Sequence, residues 1–284
     1  MIAEPFIGAE AVRAGLVRKH ELRSRYSALF PGVYLPRDTP PSFGQRVQAA
    51  WLWSHRQGVL AGWTASRLFG ARWVDDSHPI ELVWPNARPP SGITTSATWL
   101  ADGEVVSLSG LPTTTLTRTA FDLARRGPVS AAIARLDSLG RAARLDLSEV
   151  LELAERHSGT RGCRQVRRVL DLHDPGAESP KESWLRLAII GAGFPRPRTQ
   201  IPVRGPSGRQ YYLDLGWEDL KIAVEYDGDH HRSDKRTFGY DIVRLEEIAS
   251  LGWIVIRVVA GTPRDEVVRR VRAAWAARTP STLR

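Results

Sequence analysis

Three carboxylates in the last third of the chain lie in or directly beside apolar segments. Asp214 follows residues 211–213, and Glu225 and Asp227 follow residues 222–224. Burying an unpaired carboxylate costs several kcal/mol, and a bound cation commonly offsets that cost. The spacing therefore predicts a cation-binding site formed by these three residues.

The segments that carry the carboxylates, residues 209–217 and 220–227, have the composition of two β-strands joined by a short turn. Because side chains alternate across a strand, Glu225 and Asp227 are expected to share a face. If the strands pair as a hairpin in the right register, Asp214 approaches both of them. Such a group of oxygen ligands suits Mg²⁺ or Mn²⁺.

Regular alternation also predicts that Tyr212, Asp214 and Gly216 share one face of the first strand.

Beyond the second strand, His230 and His231 are near enough in sequence to join the site as proton carriers or phosphate-binding donors. The alternative interpretation is an edge strand whose acidic side chains are solvated. The apolar residues that precede the first two carboxylates favour the buried site.

Composition indicates the class of partner. The 284 residues include 40 Lys and Arg against 31 Asp and Glu, so the net charge is 40 − 31 = +9, and the pI is about 10.3. This balance favours a polyanionic partner, most simply DNA, although a genome that uses Arg freely would give the same bias. The single cysteine, Cys163, excludes an intrachain disulfide and a Cys-based zinc finger.

The lengths of the apolar segments indicate where in the cell the protein is expected. Residues 1–6 lack the basic start and the long apolar core of a signal peptide. No apolar run approaches the length that crosses a bilayer. We therefore expect a cytoplasmic protein without a membrane partner.

Residues 1–40 have the pattern of a small DNA-binding domain. Helices are predicted over 8–15 and 18–27, followed by a turn and a strand over 30–36. This order is typical of a winged helix, in which the second helix can enter the major groove. The candidate nucleic-acid contacts on that helix are Arg18, Lys19, Arg23 and Arg25. A basic, solvated surface helix would have the same composition.

Residues 41–175 have the pattern of a mixed α/β and helical domain, and a linker is predicted over 171–178. The predicted helices are 43–56, 63–70, 113–125, 128–139, 146–157 and 160–171, and the predicted strands are 79–84 and 92–99.

Residues 176–284 have the pattern of a compact domain with a mixed sheet, so the whole chain is expected to be of the α/β (α+β) class. The predicted order is helix 180–192, strands 198–204, 209–217 and 220–227, helix 236–251, strand 252–259 and helix 262–277. Ser179 and Glu182 have the spacing of a capping box, with Pro180 at the first helical position. This structural role is sufficient to account for Glu182.

The last domain also resembles a known family on several separated motifs. The residues that carry the resemblance are Glu182, Asp214, Glu225-Tyr-Asp-Gly with His231, Asp241-x-x-Arg244 and Gly252-Trp-x-Val-x-Arg257. They are similar to those of the domain-of-unknown-function family 559, which resembles the very-short-patch repair endonucleases and belongs to the PD-(D/E)XK nuclease superfamily. The resemblance covers about residues 178–278. It implies a restriction-endonuclease-like fold, in which helices flank a central mixed sheet.

The resemblance implies roles for the matched carboxylates. Asp214 corresponds to the metal-binding Asp of the superfamily, and Glu225 corresponds to the acidic residue of the next strand. One or two Mg²⁺ or Mn²⁺ ions would be bound by Asp214, Glu225 and the Tyr226 carbonyl. Asp227 stands where the superfamily usually has a Lys that positions or activates the attacking water, so it would instead add a metal ligand.

The resemblance also implies roles for residues around the carboxylates. The remaining candidate catalytic residues are Glu182, acting through a metal-bound water, and His230, His231 and Lys235, acting in proton transfer. The candidate phosphate contacts are Arg186, Arg232, Lys235 and Arg244. The alternative for each is an ordinary surface charge or ion-pair partner, and Arg244 has Asp241 three residues away on the same predicted helix.

The N-terminal region resembles the AbiEi-type antitoxins, in which a winged helix precedes a mixed α/β domain. The segments that carry this resemblance are Ala9-x-x-Val12-Arg-Ala-Gly15, Gly32-Val-Tyr34, residues 60–70, residues 110–115 and Arg118-Thr-Ala-Phe-Asp122. The resemblance implies DNA binding by the wing and the second helix, in transcriptional autoregulation.

Three functions remain open. The first is a metal-dependent endonuclease-like phosphodiesterase with an appended DNA-binding region. The second is an antitoxin-like transcriptional regulator whose nuclease-fold domain is inactive, which Asp227 in place of Lys favours. The third is a partner-binding module whose basic charge is incidental. Candidate partners besides DNA are a cognate toxin or a repair protein, and the oligomeric state is left open.

Overall fold

The computed structural model describes residues 2–37, 40–73, 75–228 and 235–279, with the main chain only over 235–240. Among the described helices, none has the length and apolar character that crossing a bilayer requires.

The chain forms two compact units, and each is discontinuous in sequence. The first contains Met1–Arg126 and Ala142–Arg167, and the second contains Gly127–Arg141 and Arg168–Arg284. The second unit therefore includes a helical segment that ends 171 − 141 = 30 residues before the predicted linker.

The first unit begins with a three-stranded antiparallel sheet and two short helices. The strands are β1 (Phe6–Ile7), β2 (Tyr26–Phe30) and β3 (Val33–Pro36), in the order β1-β3-β2, and the helices are α1 (Gly8–Arg13) and α2 (Glu21–Ser24). The buried side chains of Ala11, Val17 and Tyr26 form a small core. Two helices followed by a hairpin is the order that the sequence predicts.

The predicted basic helix over 18–27 is wrong in extent. The helix α2 begins only at Glu21, and a Glu21 carboxylate oxygen accepts a hydrogen bond from the Arg18 amide at 2.8 Å. The buried Tyr26 then starts β2. Arg18, Lys19 and Arg25 lie outside the single turn of α2, which carries only Arg23, although all four side chains are exposed.

The rest of the first unit is a five-stranded mixed sheet with helices. The strands, in the order β6-β5-β4-β8-β7, are β4 (Val59–Leu60), β5 (Ile80–Val83), β6 (Ile93–Ser96), β7 (Val105–Leu108) and β8 (Leu111–Thr114). The helices of this unit are α3 (Phe43–Trp53), α4 (Gly62–Leu68), α5 (Leu116–Arg125) and α7 (Leu147–Arg156).

The second unit is a four-stranded mixed sheet with helices. The strands, in the order β12-β11-β10-β9, are β9 (Arg198–Arg204), β10 (Gln210–Trp217), β11 (Ile222–Asp227) and β12 (Ile254–Val259). The helices are α6 (Val129–Ala142), α8 (Val166–Leu172, which begins two residues before the unit does), α9 (Pro180–Ile190), α10 (Lys235–Ser250) and α11 (Arg264–Arg278). Strands β9, β10 and β11 are antiparallel, and β12 is parallel to β11. The mixed α/β (α+β) class is confirmed.

Helices cover both faces of the sheet in the second unit. On one face, apolar residues of α9 and α11 pack with Ile222 and Val224 of β11. On the other face, Ile248 of α10 packs with Ala223 of the same strand. A strand that is buried on both faces needs a continuous apolar sequence. Glu225 is the buried charged exception in β11, and it is 7% exposed.

Side-chain alternation along β10 shifts at Asp214. Leu213 packs in the core beneath α10, whereas Leu215 packs in the core formed with α9 and α11. In a regular strand, residues two apart share a face. The prediction that Tyr212, Asp214 and Gly216 share a face is therefore wrong.

A buried ion pair connects α6 to α9. Arg186 and Asp137 are fully buried, and Arg186 Nη2 donates to Asp137 Oδ2 at 2.6 Å. Ser183 Oγ donates to the same oxygen at 2.6 Å, and His173 Nδ1 lies 3.1 Å from Oδ1. Arg186 is therefore inaccessible, and its prediction as a phosphate contact is wrong.

We expect Arg186→Met to lower the free energy of unfolding by about 3–5 kcal/mol, because it leaves the Asp137 carboxylate buried without its cation. Urea denaturation measures this change. The matched control is Arg264→Met, in which the replaced side chain is exposed, and its effect should stay within about 0.5 kcal/mol. A similar small loss for both variants would contradict the prediction.

Candidate active site

The Asp214 side chain ends the pairing between β10 and β11. The ladder between these strands stops at the pair Leu215–Val224. Beyond that pair, the Tyr226 amide donates to Asp214 Oδ2 at 2.9 Å. A carboxylate therefore takes the place of a backbone carbonyl, and it does so in the interior of the sheet.

The other neighbour of β10 is also irregular at this point. The ladder between β9 and β10 is paired on both sides of Gln200 and Asp214 but not at these two residues. Gln200 has φ +49°, a left-handed conformation that costs a non-glycine residue about 1–2 kcal/mol. Its side-chain Nε2 lies 3.4 Å from Glu182 Oε2.

Glu182 lies in the first turn of α9 and is 7% exposed. Its amide donates to Ser179 Oγ at 3.1 Å, so Ser179 caps the helix as predicted. The predicted capping box is not closed, because Glu182 Oε2 accepts from the Glu178 amide at 2.8 Å rather than from the Ser179 amide. Burial raises the pKa of Glu182, against the hydrogen bonds that it accepts.

Three carboxylates interact at Asp214. Burial, together with repulsion from Glu182 and from Glu225, raises the pKa of Asp214 to about 7. The Tyr226 amide and the Arg244 guanidinium act in the opposite direction. Like charges at close range disfavour ionisation, and so this cluster favours a proton or a cation.

Arg244 of α10 forms an ion pair with Glu225, the third carboxylate of the cluster. Its Nη1 donates to Glu225 Oε2 at 3.0 Å, and its Nη2 donates to Glu225 Oε1. The same Nη2 donates to the Tyr212 carbonyl at 2.9 Å. The ion-pair partner of Arg244 is thus Glu225 rather than Asp241, which the sequence offered as an alternative.

Asp227, the last residue of β11, is turned towards β12. Its Oδ2 accepts from Arg257 Nη2 at 2.6 Å, and the Arg257 side chain is 42% exposed. The structure therefore brings together Glu182, Asp214 and Glu225, and it gives Asp227 a separate cationic partner.

Several predicted site residues lie outside the described part of the chain. They are His230, His231 and Arg232, together with the side chain of Lys235. Tyr226 is described, and its amide rather than its carbonyl is the group that contacts Asp214. Gln200 was not predicted, because no sequence signal marks a left-handed glutamine within a strand.

The donor chemistry of the site fits a hard divalent cation. Within the described residues, no three His, Cys, Asp or Glu side chains are arranged to hold a metal ion. Mg²⁺ is nevertheless usually bound by one or two carboxylates, with waters and substrate phosphates as the other ligands. Asp214 and Glu182 supply such a pair. Each oxygen of Glu225 accepts one hydrogen bond from Arg244 and keeps a further lone pair, so Glu225 can join them while it stays paired with Arg244.

Comparison with known proteins gives relatives without an assigned activity. No known family profile matches the chain. The uncharacterized proteins Rv2248 and MT2308 of two Mycobacterium tuberculosis strains, H37Rv and CDC 1551, are each 27% identical over 235 residues, which is 83% of this chain and 86% of the relative. The solved RV2827C protein from Mycobacterium tuberculosis is 18% identical, over 68% of this chain and 77% of its own, with a TM-score of 0.41.

The raised pKa of Asp214 predicts a pH-dependent stability. The folded protein keeps this proton up to a pKa of about 7, whereas an unfolded Asp loses it near 3.9. The free energy of unfolding should therefore fall between about pH 4 and pH 7, by at most about 4 kcal/mol. Asp214→Asn should remove this fall and should be more stable than the wild type at about pH 8.

Urea denaturation in EDTA at a series of pH values measures this dependence. The matched control is Asp219→Asn, an exposed carboxylate in the turn between β10 and β11, which should keep the wild-type profile. A wild-type stability that is constant or rises over this range would contradict the prediction.

Proposed function

We propose that the second unit is a Mg²⁺- or Mn²⁺-dependent phosphodiesterase domain that acts on nucleic acid. The observation that carries this proposal is the cluster of Glu182, Asp214 and Glu225, in which the pKa of Asp214 rises to about 7. Perturbed carboxylates are typical of sites that bind cations or transfer protons. The resemblance to the domain-of-unknown-function family 559 and the PD-(D/E)XK nucleases supports the same function.

Different side chains would bind the cation and position its ligands in such a site. A bound divalent cation would supply an activated water and stabilise charge that develops on the phosphate. Asp214 and Glu182 would hold the cation, whose charge offsets their mutual repulsion. Arg244 fixes Glu225 and the Tyr212 carbonyl, and so keeps the end of the β10–β11 ladder in place.

Arg257 supports the proposal at the position where the resemblance expects a Lys. Asp227 occupies that position, and its ion pair brings the Arg257 guanidinium to the end of β11. Arg257 is 42% exposed, so its remaining N–H groups can reach a phosphate oxygen. Arg is well suited to phosphate because its planar group donates several hydrogen bonds.

We expect the wild type to nick plasmid DNA in the presence of Mg²⁺ or Mn²⁺, and Asp214→Asn to lower the rate by more than about 100-fold. Agarose-gel separation of supercoiled, nicked and linear DNA measures the rate. Asp219→Asn is the matched control and should cleave like the wild type. No metal-dependent cleavage by the wild type would reject the proposal, and cleavage that survives Asp214→Asn would reject this site.

A second candidate function is DNA binding by an antitoxin-like regulator with an inactive nuclease-fold domain. One observation favours it: both Glu225 and Asp227 are already paired with guanidinium groups. In the first unit, exposed cations lie on or near α2 and the hairpin of β2 and β3. They are Arg13, Arg18, Lys19, Arg23, Arg25 and Arg37. Such a cluster suits phosphate contacts rather than base reading.

We expect DNA binding to weaken as salt rises, because each phosphate contact releases condensed counterions. Replacing both Lys19 and Arg23 by Ala should reduce the slope of log K against log salt by about 2. Fluorescence anisotropy with a labelled duplex, at about 50 to 200 mM salt, measures the slope.

The matched control is Arg156→Ala, an exposed cation on α7. An affinity that does not change with salt would contradict DNA binding and favour a partner-binding module. Salt-dependent binding without metal-dependent cleavage would favour the regulator over the nuclease.

A further inference from the structure

Gln200 is a conformational outlier within a strand. Its φ of +49° lies in the left-handed region, and it is in the middle of β9. Lys221 has the same φ, but Lys221 lies just before β11, at the end of a turn where such values are common. Strain inside a strand persists only where the surroundings impose it, and it is often found at functional sites.

Two irregularities of the second unit and one side-chain contact meet at Gln200. The ladder between β9 and β10 omits the pair Gln200–Asp214. The faces of β10 shift at Asp214, between Leu213 and Leu215. The Gln200 side chain reaches Glu182. A left-handed residue turns the chain out of regular pleating, and so one backbone conformation accounts for the break opposite Asp214.

The chemistry of a glutamine amide also suits this position. Its NH₂ group donates a hydrogen bond to the Glu182 carboxylate without adding a positive charge. A Lys or Arg at position 200 would neutralise the carboxylates and compete with a cation. A neutral donor orients Glu182 and leaves its negative charge available.

We propose that Gln200 is a positioning residue of the carboxylate site. Its left-handed backbone opens the sheet at Asp214, and its side-chain amide holds Glu182 towards Asp214. This inference rests on the proposed function, because the carboxylates that it positions are those that would bind the cation.

The test compares Mn²⁺ binding by variants at Gln200, measured by isothermal titration calorimetry on the full chain. Gln200→Gly keeps the left-handed backbone without strain and removes the amide. Gln200→Ala removes the amide and keeps the strain. Both variants should bind Mn²⁺ at least about 10-fold more weakly than the wild type, while Gln200→Gly is no less stable in urea.

The matched control is Lys221→Gly. It also places glycine at φ +49°, and it also removes a side-chain hydrogen bond, the one that Lys221 Nζ donates to the Leu251 carbonyl at 2.9 Å. It should leave Mn²⁺ affinity unchanged. Wild-type Mn²⁺ affinity in Gln200→Gly would overturn the inference and leave the proposed function standing.

A metal-free measurement separates the two proposals. Unfolding free energies in EDTA are compared for Glu182→Ala, Gln200→Gly and the double variant. Non-additive effects support the positioning of Glu182 by Gln200, even if the wild type binds Mn²⁺ no better than Asp214→Asn and the proposed function fails. Additive effects overturn the inference.

Discussion

The second unit depends on the hydrogen bond from the Tyr226 amide to the Asp214 carboxylate. It forms where β10 and β11 stop pairing, so it gives the Tyr226 amide a partner in place of a carbonyl of β10. Arg244 likewise donates a hydrogen bond to the Tyr212 carbonyl of β10. Buried backbone groups must find partners. The opening in the sheet therefore exists because side chains of the site complete the hydrogen bonding of the main chain.

The same residues set the electrostatics of the opening. Among the described residues, Asp214 and Glu225 share the Arg244 guanidinium, and Asp214 is also repelled by the buried Glu182. A fully neutralised cluster would be an inert ion-pair network, whereas an excess of carboxylates destabilises its own ionised form. The Asp227–Arg257 pair is balanced and more exposed. The imbalance is thus confined to the position at which β10 departs from regular geometry.

Much of the second unit could be predicted from its sequence. The bounds of β9 agree with the prediction, because apolar and turn residues delimit it clearly. The approach of Asp214 to Glu225 was predicted from hairpin pairing, and the pKa of Asp214 responds to Glu225. The shift of faces at Asp214 was not predictable, since it depends on the backbone conformation of Gln200. The sequence pattern did not predict β4, because a strand of two residues has no periodicity to detect. The predicted second helix was too long, because the chain enters β2 at the buried Tyr26.

The buried pair of Asp137 and Arg186 has a consequence for how the chain folds. The two residues are 49 positions apart, and Ala142–Arg167 of the first unit lies between them. During synthesis, α6 therefore emerges with a carboxylate whose buried partner does not yet exist. Docking α6 before α9 would bury that charge alone, at a cost of several kcal/mol. We therefore expect α6 to dock stably only after α9 has been synthesised. Because α9 follows Ala142–Arg167, the whole chain of the first unit is complete by then.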